Sequence, residues 1–351
     1  MEKIDIRSLE PDELKEWIVG LGEKPFRAEQ IYEWLHGKKA EDFGEMTNLS
    51  KALRDILSER AFLMNLKQAD RRESRRDGTC KYLFQLYDGR VIESVLMRYH
   101  HGNSVCISSQ VGCRMGCSFC ASTLGGLERN LSASEMLEQV YQIERLTGER
   151  VSNVVVMGTG EPLDNYENLV RFIRILSSDK GLHISQRNIT VSTCGIPERI
   201  CALAGEKLAI TLALSLHAPN DGLRKRLMPI ANRYPLHEVM DACSFYFRTT
   251  GRRLTFEYSL IRGVNDGAEQ AAELAALLQG RSCHVNLIPV NPVRERGYDR
   301  PDGKRIQNFR NILEKNRINV TIRREMGSDI DAACGQLRKR YIDTVRQEGG
   351  E

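Results

Sequence analysis

From about residue 100 onward the chain alternates between short strand-like runs and longer helical runs, and this period constrains the fold more than any other feature. Candidate strands lie at 154–157, 189–192, 209–216, 254–260, 284–288 and 320–323, separated by helical patterns at 134–146, 166–176, 196–203, 236–247, 269–278 and 304–316. Ser132, with Glu135 three residues on, reads as the capping box that starts the first of these helices. Strands joined by crossover helices line up parallel. The number of units falls short of a closed eight-fold barrel. The expectation is an α/β fold with an incomplete barrel.

Upstream the pattern differs. Leu14, Trp17, Ile18 and Leu21 share one helical face, Ala28, Ile31, Tyr32 and Leu35 share another, and a third helix is expected over about 49–60. This segment reads as a small helical accessory domain. The stretch RRESRRDG (71–78) reads as a loop or hairpin connection, followed by strands at 82–87, 91–97 and 104–108. The expected divisions are 1–68, a basic linker and β extension at 69–98, the barrel at 99–325 and a C-terminal segment at 326–351.

Composition excludes several classes. The 351 residues are 41% hydrophobic and 28% charged, with 10 Phe and 11 Tyr, enough for a core and too apolar for wholesale disorder. The longest apolar stretch, Leu208–Leu216, is about half of what a bilayer helix needs. The opening MEKIDIRSLE has no apolar signal region, so no membrane association and a cytoplasmic location are expected. The net charge is only +4, but Arg71, Arg72, Arg75 and Arg76 cluster, as do Arg252–Arg253, Arg323–Arg324 and Arg338–Arg340. Taken singly, each such group is ordinary solvated surface.

Ten cysteines stand at 80, 106, 113, 117, 120, 194, 201, 243, 283 and 334. Three of them form CRMGCSFC (113–120), a C-x3-C-x2-C spacing. Three thiolates on one short loop suit three corners of an iron–sulfur cubane and leave the fourth iron open. A structural zinc site wants four ligands, usually as paired knuckles. No second C-x2-C exists in the chain. Cys80, Cys194, Cys201, Cys243 and Cys283 lack motif context and read as packing residues.

Cys113, Cys117 and Cys120, with Phe119 before the last thiol, resemble the signature of the radical S-adenosylmethionine superfamily. The resemblance implies a partial (β/α)6 TIM-like barrel of the radical SAM type, with a [4Fe-4S] cluster on the loop after the first strand. It also implies S-adenosylmethionine chelated at the open iron and cleaved to a 5′-deoxyadenosyl radical. On that resemblance Gly160 and Glu161 of MGTGEP (157–162) contact the cofactor. Ser192, Ser215, Leu216, His217 and Asn291 follow at C-terminal strand ends, where barrel enzymes build their sites.

The strings CISSQVGCRMGCSFCASTLGGLERNL (106–131), MGTGEPLDN (157–165), SLHAPND (215–221), HVNLIPVNP (284–292) and DIDAACGQL (329–337) narrow the resemblance to the RlmN family, over about residues 10–345. That family methylates carbon 2 of an adenine in 23S rRNA (nucleotide 2503) and in tRNA (nucleotide 37). Carbon 2 is electron-poor, so polar methyl transfer fails there. The resemblance implies a thiol carrier, Cys334, methylated by one S-adenosylmethionine and activated by the radical from a second, two per turnover. Cys106 resolves the protein–RNA link through a transient disulfide with Cys334, and Glu93 matches the general base. The implied partners are 23S rRNA, tRNA and a flavodoxin- or ferredoxin-type electron donor, with the chain acting as a monomer. RNA contacts are expected from the helical domain, the arginine cluster and the basic C-terminal segment, and the target base must be unstacked to react. Two alternatives stand beside this. One is the related Cfr branch, which methylates carbon 8, although Pro162 and CASTLGG (120–126) look more like RlmN. The other is a non-catalytic iron–sulfur RNA-binding protein, which would need neither Cys106 nor Cys334.

Overall fold

The structure is a computed structural model that describes residues 3–293, 295–327 and 329–330. The N-terminal part begins with a two-residue strand β1 (Ile4–Asp5), continues through helices α1 (Pro11–Gly20), α2 (Phe26–Tyr32) and α3 (Lys51–Arg60), and returns as β2 (Ala61–Phe62), which pairs with β1. α2 runs on into a π turn over Glu33–Gly37. Ser50 caps α3 by accepting the Leu53 N–H, and Leu53 and Leu57 bury one face.

Four antiparallel strands follow, β3 (Lys67–Glu73), β4 (Cys80–Gln85), β5 (Val91–Tyr99) and β6 (Gly102–Cys106). The arginine-rich run resolves as a hairpin: Arg71 and Arg72 lie in β3, and Ser74 N–H donates to the Thr79 carbonyl across the turn (2.8 Å). A small ribbon of β7 (Gln110–Gly112) and β8 (Leu127–Asn130) frames the cysteine loop.

The alternation then sets in: α4 (Ala133–Thr147), β9 (Val151–Val156), α5 (Tyr166–Ser177), β10 (Ile189–Thr193), α6 (Pro197–Gly205), β11 (Thr211–Ser215), α7 (Asp221–Leu227), α8 (Leu236–Thr250), β12 (Leu254–Leu260), α9 (Ala268–Leu278), β13 (Cys283–Pro289), α10 (Gly303–Lys315) and β14 (Asn319–Ile322). One ten-stranded sheet runs in the order β14-β13-β12-β11-β10-β9-β6-β5-β4-β3. From β6 to β14 every pairing is parallel, and β3 to β6 pair antiparallel. Among the described residues the two edge strands do not meet, so the barrel is partial, as the alternation predicts.

The expected capping box is present. Ser132 Oγ accepts the Glu135 N–H, and Glu135 returns a carboxylate oxygen to the Ser132 N–H (2.9 Å). The short helix α7 was not legible beforehand. Asn220 caps it by accepting the Leu223 N–H (2.9 Å), in a run whose lysine and arginines hide any apolar face.

The helical part docks on the barrel through α4. Arg7, fully buried, donates to Glu138 (2.7 Å), His36 Nδ1 lies 2.9 Å from the Tyr141 hydroxyl, and Lys39 pairs with Glu144 (2.7 Å). Among the described residues no helix is long and apolar enough to cross a membrane.

Candidate active site

The three loop thiols border one cavity of about 320 Å³ at the C-terminal ends of the parallel strands. The loop is held from several sides. Gly112 has φ 78°, and a Cβ there would sit 1.9 Å from the Gly126 carbonyl oxygen, so the ribbon that opens the loop admits only glycine. Cys113 N–H donates to the same carbonyl (2.9 Å). Thr123 Oγ1 lies within hydrogen-bond reach of the Cys117 and Cys120 carbonyls and accepts from Arg296 (2.6 Å), which also donates to the Cys120 carbonyl (3.2 Å). Ser118 N–H donates to the Leu227 carbonyl at the end of α7 (2.8 Å).

Burial pushes the Cys113 thiol up to about 12, and burial together with the charges of Cys120 and Cys113 pushes Cys117 higher still. Naked thiolates are unfavourable at Cys113 and Cys117, so a bound cation that stabilises them must displace protons. Among the described residues no three His, Cys, Asp or Glu side chains converge on one point as a single ion requires. Three thiols on one loop bordering a cavity suit three corners of a cluster.

Gly160 and Glu161 line the same cavity. Gly160 has φ 116°, and a Cβ would lie 2.6 Å from Ser109 Oγ and 2.8 Å from Gln110 N. The Glu161 carboxylate is buried and already engaged: it accepts the Leu163 N–H (3.0 Å) and the Cys194 N–H (2.7 Å). Burial raises its pKa, and those hydrogen bonds oppose the rise. Its role in the fold is therefore partly that of a cap for the turn after β9.

Ser192, Ser215, His217 and Asn291 also line the cavity, and the two serine hydroxyls are 3.1 Å apart. Leu216 does not line it. Its side chain is in the core and its N–H donates to the Glu257 carbonyl (3.0 Å). His217 has φ 57°, accepts the Ser259 N–H at Nδ1 (2.9 Å) and meets the Phe119 ring edge-on. Burial, with Arg224 nearby, lowers its pKa to about 3, so the imidazole is neutral.

Cys106 ends β6 between Val95 of β5 and Val155 of β9, in an apolar patch with Met97 and Met157, and it lines the cavity. Glu93 is on the same face of β5, two residues before Val95, but is not among the cavity's lining residues. It is buried against Lys81, Oε2 to Nζ 3.1 Å. Cys334, and with it the expected pairing to Cys106, lies outside the described residues.

Some residues were missed by sequence reasoning. Glu257 of β12 is a buried carboxylate on the cavity wall, held by Asn286 Nδ2 (2.9 Å). Burial raises its pKa and Arg323 opposes that. Lys81 and Arg224 are fully buried cations. Nothing in their sequence context, an alternating strand and a basic run, marks them as internal.

Residues 4–63 match the ribosomal RNA large subunit methyltransferase N-terminal domain, and residues 107–275 match the radical SAM superfamily. A protein of Lachnoclostridium phytofermentans named as a dual-specificity RNA methyltransferase RlmN is 67% identical, covering 99% of this chain and 98% of its own length. This chain belongs to the RlmN family. A Lachnospira eligens protein of the same name is 60% identical over 99% of both chains. The crystal structure of a radical SAM methyltransferase from Sphaerobacter thermophilus superposes with TM-score 0.90 at 46% identity, covering 95% of this chain and 98% of that one. RlmN membership implies S-adenosylmethionine and a [4Fe-4S] cluster, and the donor set of three thiols on one loop beside a cavity fits both.

Proposed function

We propose that this chain methylates carbon 2 of adenine in 23S rRNA and tRNA, at nucleotides 2503 and 37, as a radical S-adenosylmethionine enzyme of the cytoplasm. The observation that carries the reading is that Cys113, Cys117, Cys120 and Cys106 all line one cavity. When bound, the cluster and S-adenosylmethionine supply the one-electron cleavage that yields a carbon radical.

The chain's own residues do the rest. In this reading Cys113, Cys117 and Cys120 hold the cluster. Backbone at Gly160 and Glu161, the Ser192 and Ser215 hydroxyls, His217 and Asn291 orient the cofactor, with Leu216 contributing main chain only. A neutral His217 with Nδ1 occupied by the Ser259 N–H leaves Nε2–H as a donor toward the cavity. Cys334 carries the methyl group, and Cys106 supplies the second thiol, leaving both sulfurs oxidised as a disulfide when the product departs. Glu93, buried beside Lys81, is the general base for thiol or adenine chemistry. Two S-adenosylmethionine molecules per turnover, a flavodoxin- or ferredoxin-type donor and a monomeric state belong to the same reading. The domain divisions at 68, 98 and 325 do too, with the helical part and Arg71–Arg76 as RNA contacts.

The test is anaerobic reconstitution with iron and sulfide, then incubation with S-adenosylmethionine, reductant and unmodified 23S rRNA fragment or tRNA. Digested RNA is read by mass spectrometry against standards. 2-Methyladenosine with 5′-deoxyadenosine supports the reading. 8-Methyladenosine moves the chain to Cfr-type chemistry, and methylation by Cys334→Ala sinks the carrier.

A further inference from the structure

Arg224 is fully buried, and only one of its nitrogens has a conventional partner: Nη2 donates to the Cys194 carbonyl (2.5 Å). Nε and Nη1 are shielded from water and make no hydrogen bond. Among the described residues no carboxylate comes within ion-pair distance of the guanidinium. A buried cation without an ion-pair partner is a costly arrangement for a fold to hold. Its survival points to an anion that arrives after folding.

The neighbourhood says which anion. Arg224 is on α7, and the last carbonyl of α7, that of Leu227, receives the N–H of Ser118, the residue after Cys117. Pro229, just beyond α7, packs over Gly116, with 3.4 Å to where a Cβ would be. The helix is thus seated on the cysteine loop itself. Cys194, Cys117, Asp221 and Cys243 are in electrostatic reach of the guanidinium, with Asp221 beyond ion-pair distance and its Oδ1 occupied by the Leu236 N–H (2.8 Å). Burial raises both the Cys194 and the Cys243 thiols, so neither supplies a charge. Beside the distant Asp221 carboxylate, that leaves the loop thiolates and what they bind, on which α7 is seated.

We propose that Arg224 is a built-in countercharge for the iron–sulfur cluster, which stabilises the three-thiolate assembly and favours its reduced form. The inference rests on the reading of Cys113, Cys117 and Cys120 as cluster ligands. A cubane held by three thiolates is net negative and becomes more so on gaining an electron. A fixed cation and N–H donors near its sulfurs therefore raise its potential. Arg224 acts here as a positioning and electrostatic residue.

The experiment compares wild-type protein with Arg224→Gln, which keeps a donor for the Cys194 carbonyl but has no charge, and with Arg224→Lys, which keeps the charge. Each is purified without iron, melted, reconstituted anaerobically, assayed for iron and sulfide, and titrated by electron paramagnetic resonance against redox mediators. Arg224→Gln is expected to melt at or above the wild type without iron and to gain less from loading. At a fixed poise its reduced-to-oxidised ratio is expected to fall about tenfold, a shift of about 59 mV for one electron. Arg224→Lys is expected to recover most of this. Equal iron content and equal potential in Arg224→Gln overturn the proposal. So does an Arg224→Gln chain that fails to fold without iron, which assigns Arg224 to folding alone. If the wild type takes up no iron, the cluster reading itself falls, and the proposal with it.

Discussion

Lys81 Nζ lies 3.1 Å from Glu93 Oε2, on adjacent strands β4 and β5, and essentially no water reaches either side chain. The antiparallel register sets Lys81 opposite Val95 and Leu83 opposite Glu93, so the pair is a diagonal on the inner face of the sheet, leading toward Cys106. Removing one partner of such a pair takes away the buried countercharge of the other. Lys81→Met is expected to lower unfolding free energy by about 3–5 kcal/mol. The double variant Lys81→Met with Glu93→Gln should recover a large part of that loss. Urea melts of the four proteins close the cycle. Strictly additive losses would mean the two groups are not coupled.

Gly160 and Gly125 offer a matched pair of substitutions. At Gly160 a Cβ meets Ser109 Oγ at 2.6 Å and the Gln110 backbone nitrogen at 2.8 Å, with φ at 116°. At Gly125 nothing lies within 4 Å. Gly160→Ala is expected to cost about 1–3 kcal/mol from overpacking, with further backbone strain, and to lose measurable S-adenosylmethionine binding by calorimetry. Gly125→Ala is expected to stay within about 0.5 kcal/mol of wild type. Equal behaviour of the two would remove Gly160 from the cofactor site.

The features legible in advance were local ones. CRMGCSFC declares itself because its three donors are neighbours in sequence. The alternation of Val154–Val156, Ile189–Thr193 and Leu254–Leu260 with helices announces a parallel sheet. The Ser132–Glu135 box marks the start of α4. What stayed hidden depends on long-range placement. Lys81 in CKYLFQ looks like the solvent-facing member of an edge strand. It is buried because β3–β5 continue the barrel sheet, which no local pattern states. Arg224 within LRKRL looks solvated, and Arg7 looks like any N-terminal arginine until α4 brings Glu138 to it. Glu93 was identified by resemblance alone, and the ammonium beside it was not.

His217 combines a left-handed backbone with a buried, neutral ring. Its φ is 57°, and Nδ1 accepts the Ser259 N–H (2.9 Å). Asn tolerates that backbone and can present an oxygen to the same N–H, whereas Val tolerates neither demand. His217→Val is therefore expected to be less stable than His217→Asn by about 1–3 kcal/mol, combining strain with an unsatisfied N–H. The pH dependence follows from the sign of the shift. Burial, aided by Arg224, lowers the folded pKa to about 3 from the ordinary 6.5. The contribution to stability is complete above pH 6.5 and is lost as pH falls toward 3. The stability gap between wild type and His217→Asn should narrow or reverse over that window in urea melts. A gap independent of pH would show that the imidazole charges freely in the folded state.

Asp77, at the tip of the arginine hairpin, ties that hairpin to the segment that leads toward Cys334. Its Oδ2 accepts the Gly327 N–H (2.9 Å) and its Oδ1 the Thr79 N–H (3.0 Å), while Asp329 accepts from Ser74 Oγ (2.6 Å) and Arg75 N (3.1 Å). Partial burial works against the Asp77 charge. The N–H groups of Gly327 and Thr79, with the Thr79 and Ser74 hydroxyls, outweigh it and hold the carboxyl at about 2, below the ordinary 3.8. A depressed carboxylate contributes stability above its unfolded value and loses it as pH falls through the folded one. The tether is therefore intact above about pH 4 and loosens on the way to pH 2. Hydrogen exchange read as a protection factor at Gly327 should show a fall over this range in the wild type. Asp77→Asn, which keeps an acceptor and has no charge to lose, should show weaker protection at pH 5 and little further change on acidification. Protection at Gly327 that stays constant from pH 5 to pH 2 in the wild type would mean that Asp77 does not hold the segment. Because the same hairpin carries Arg71, Arg72, Arg75 and Arg76, losing the tether at neutral pH in Asp77→Ala should lower the methylation rate at limiting RNA. Iron content should stay unchanged.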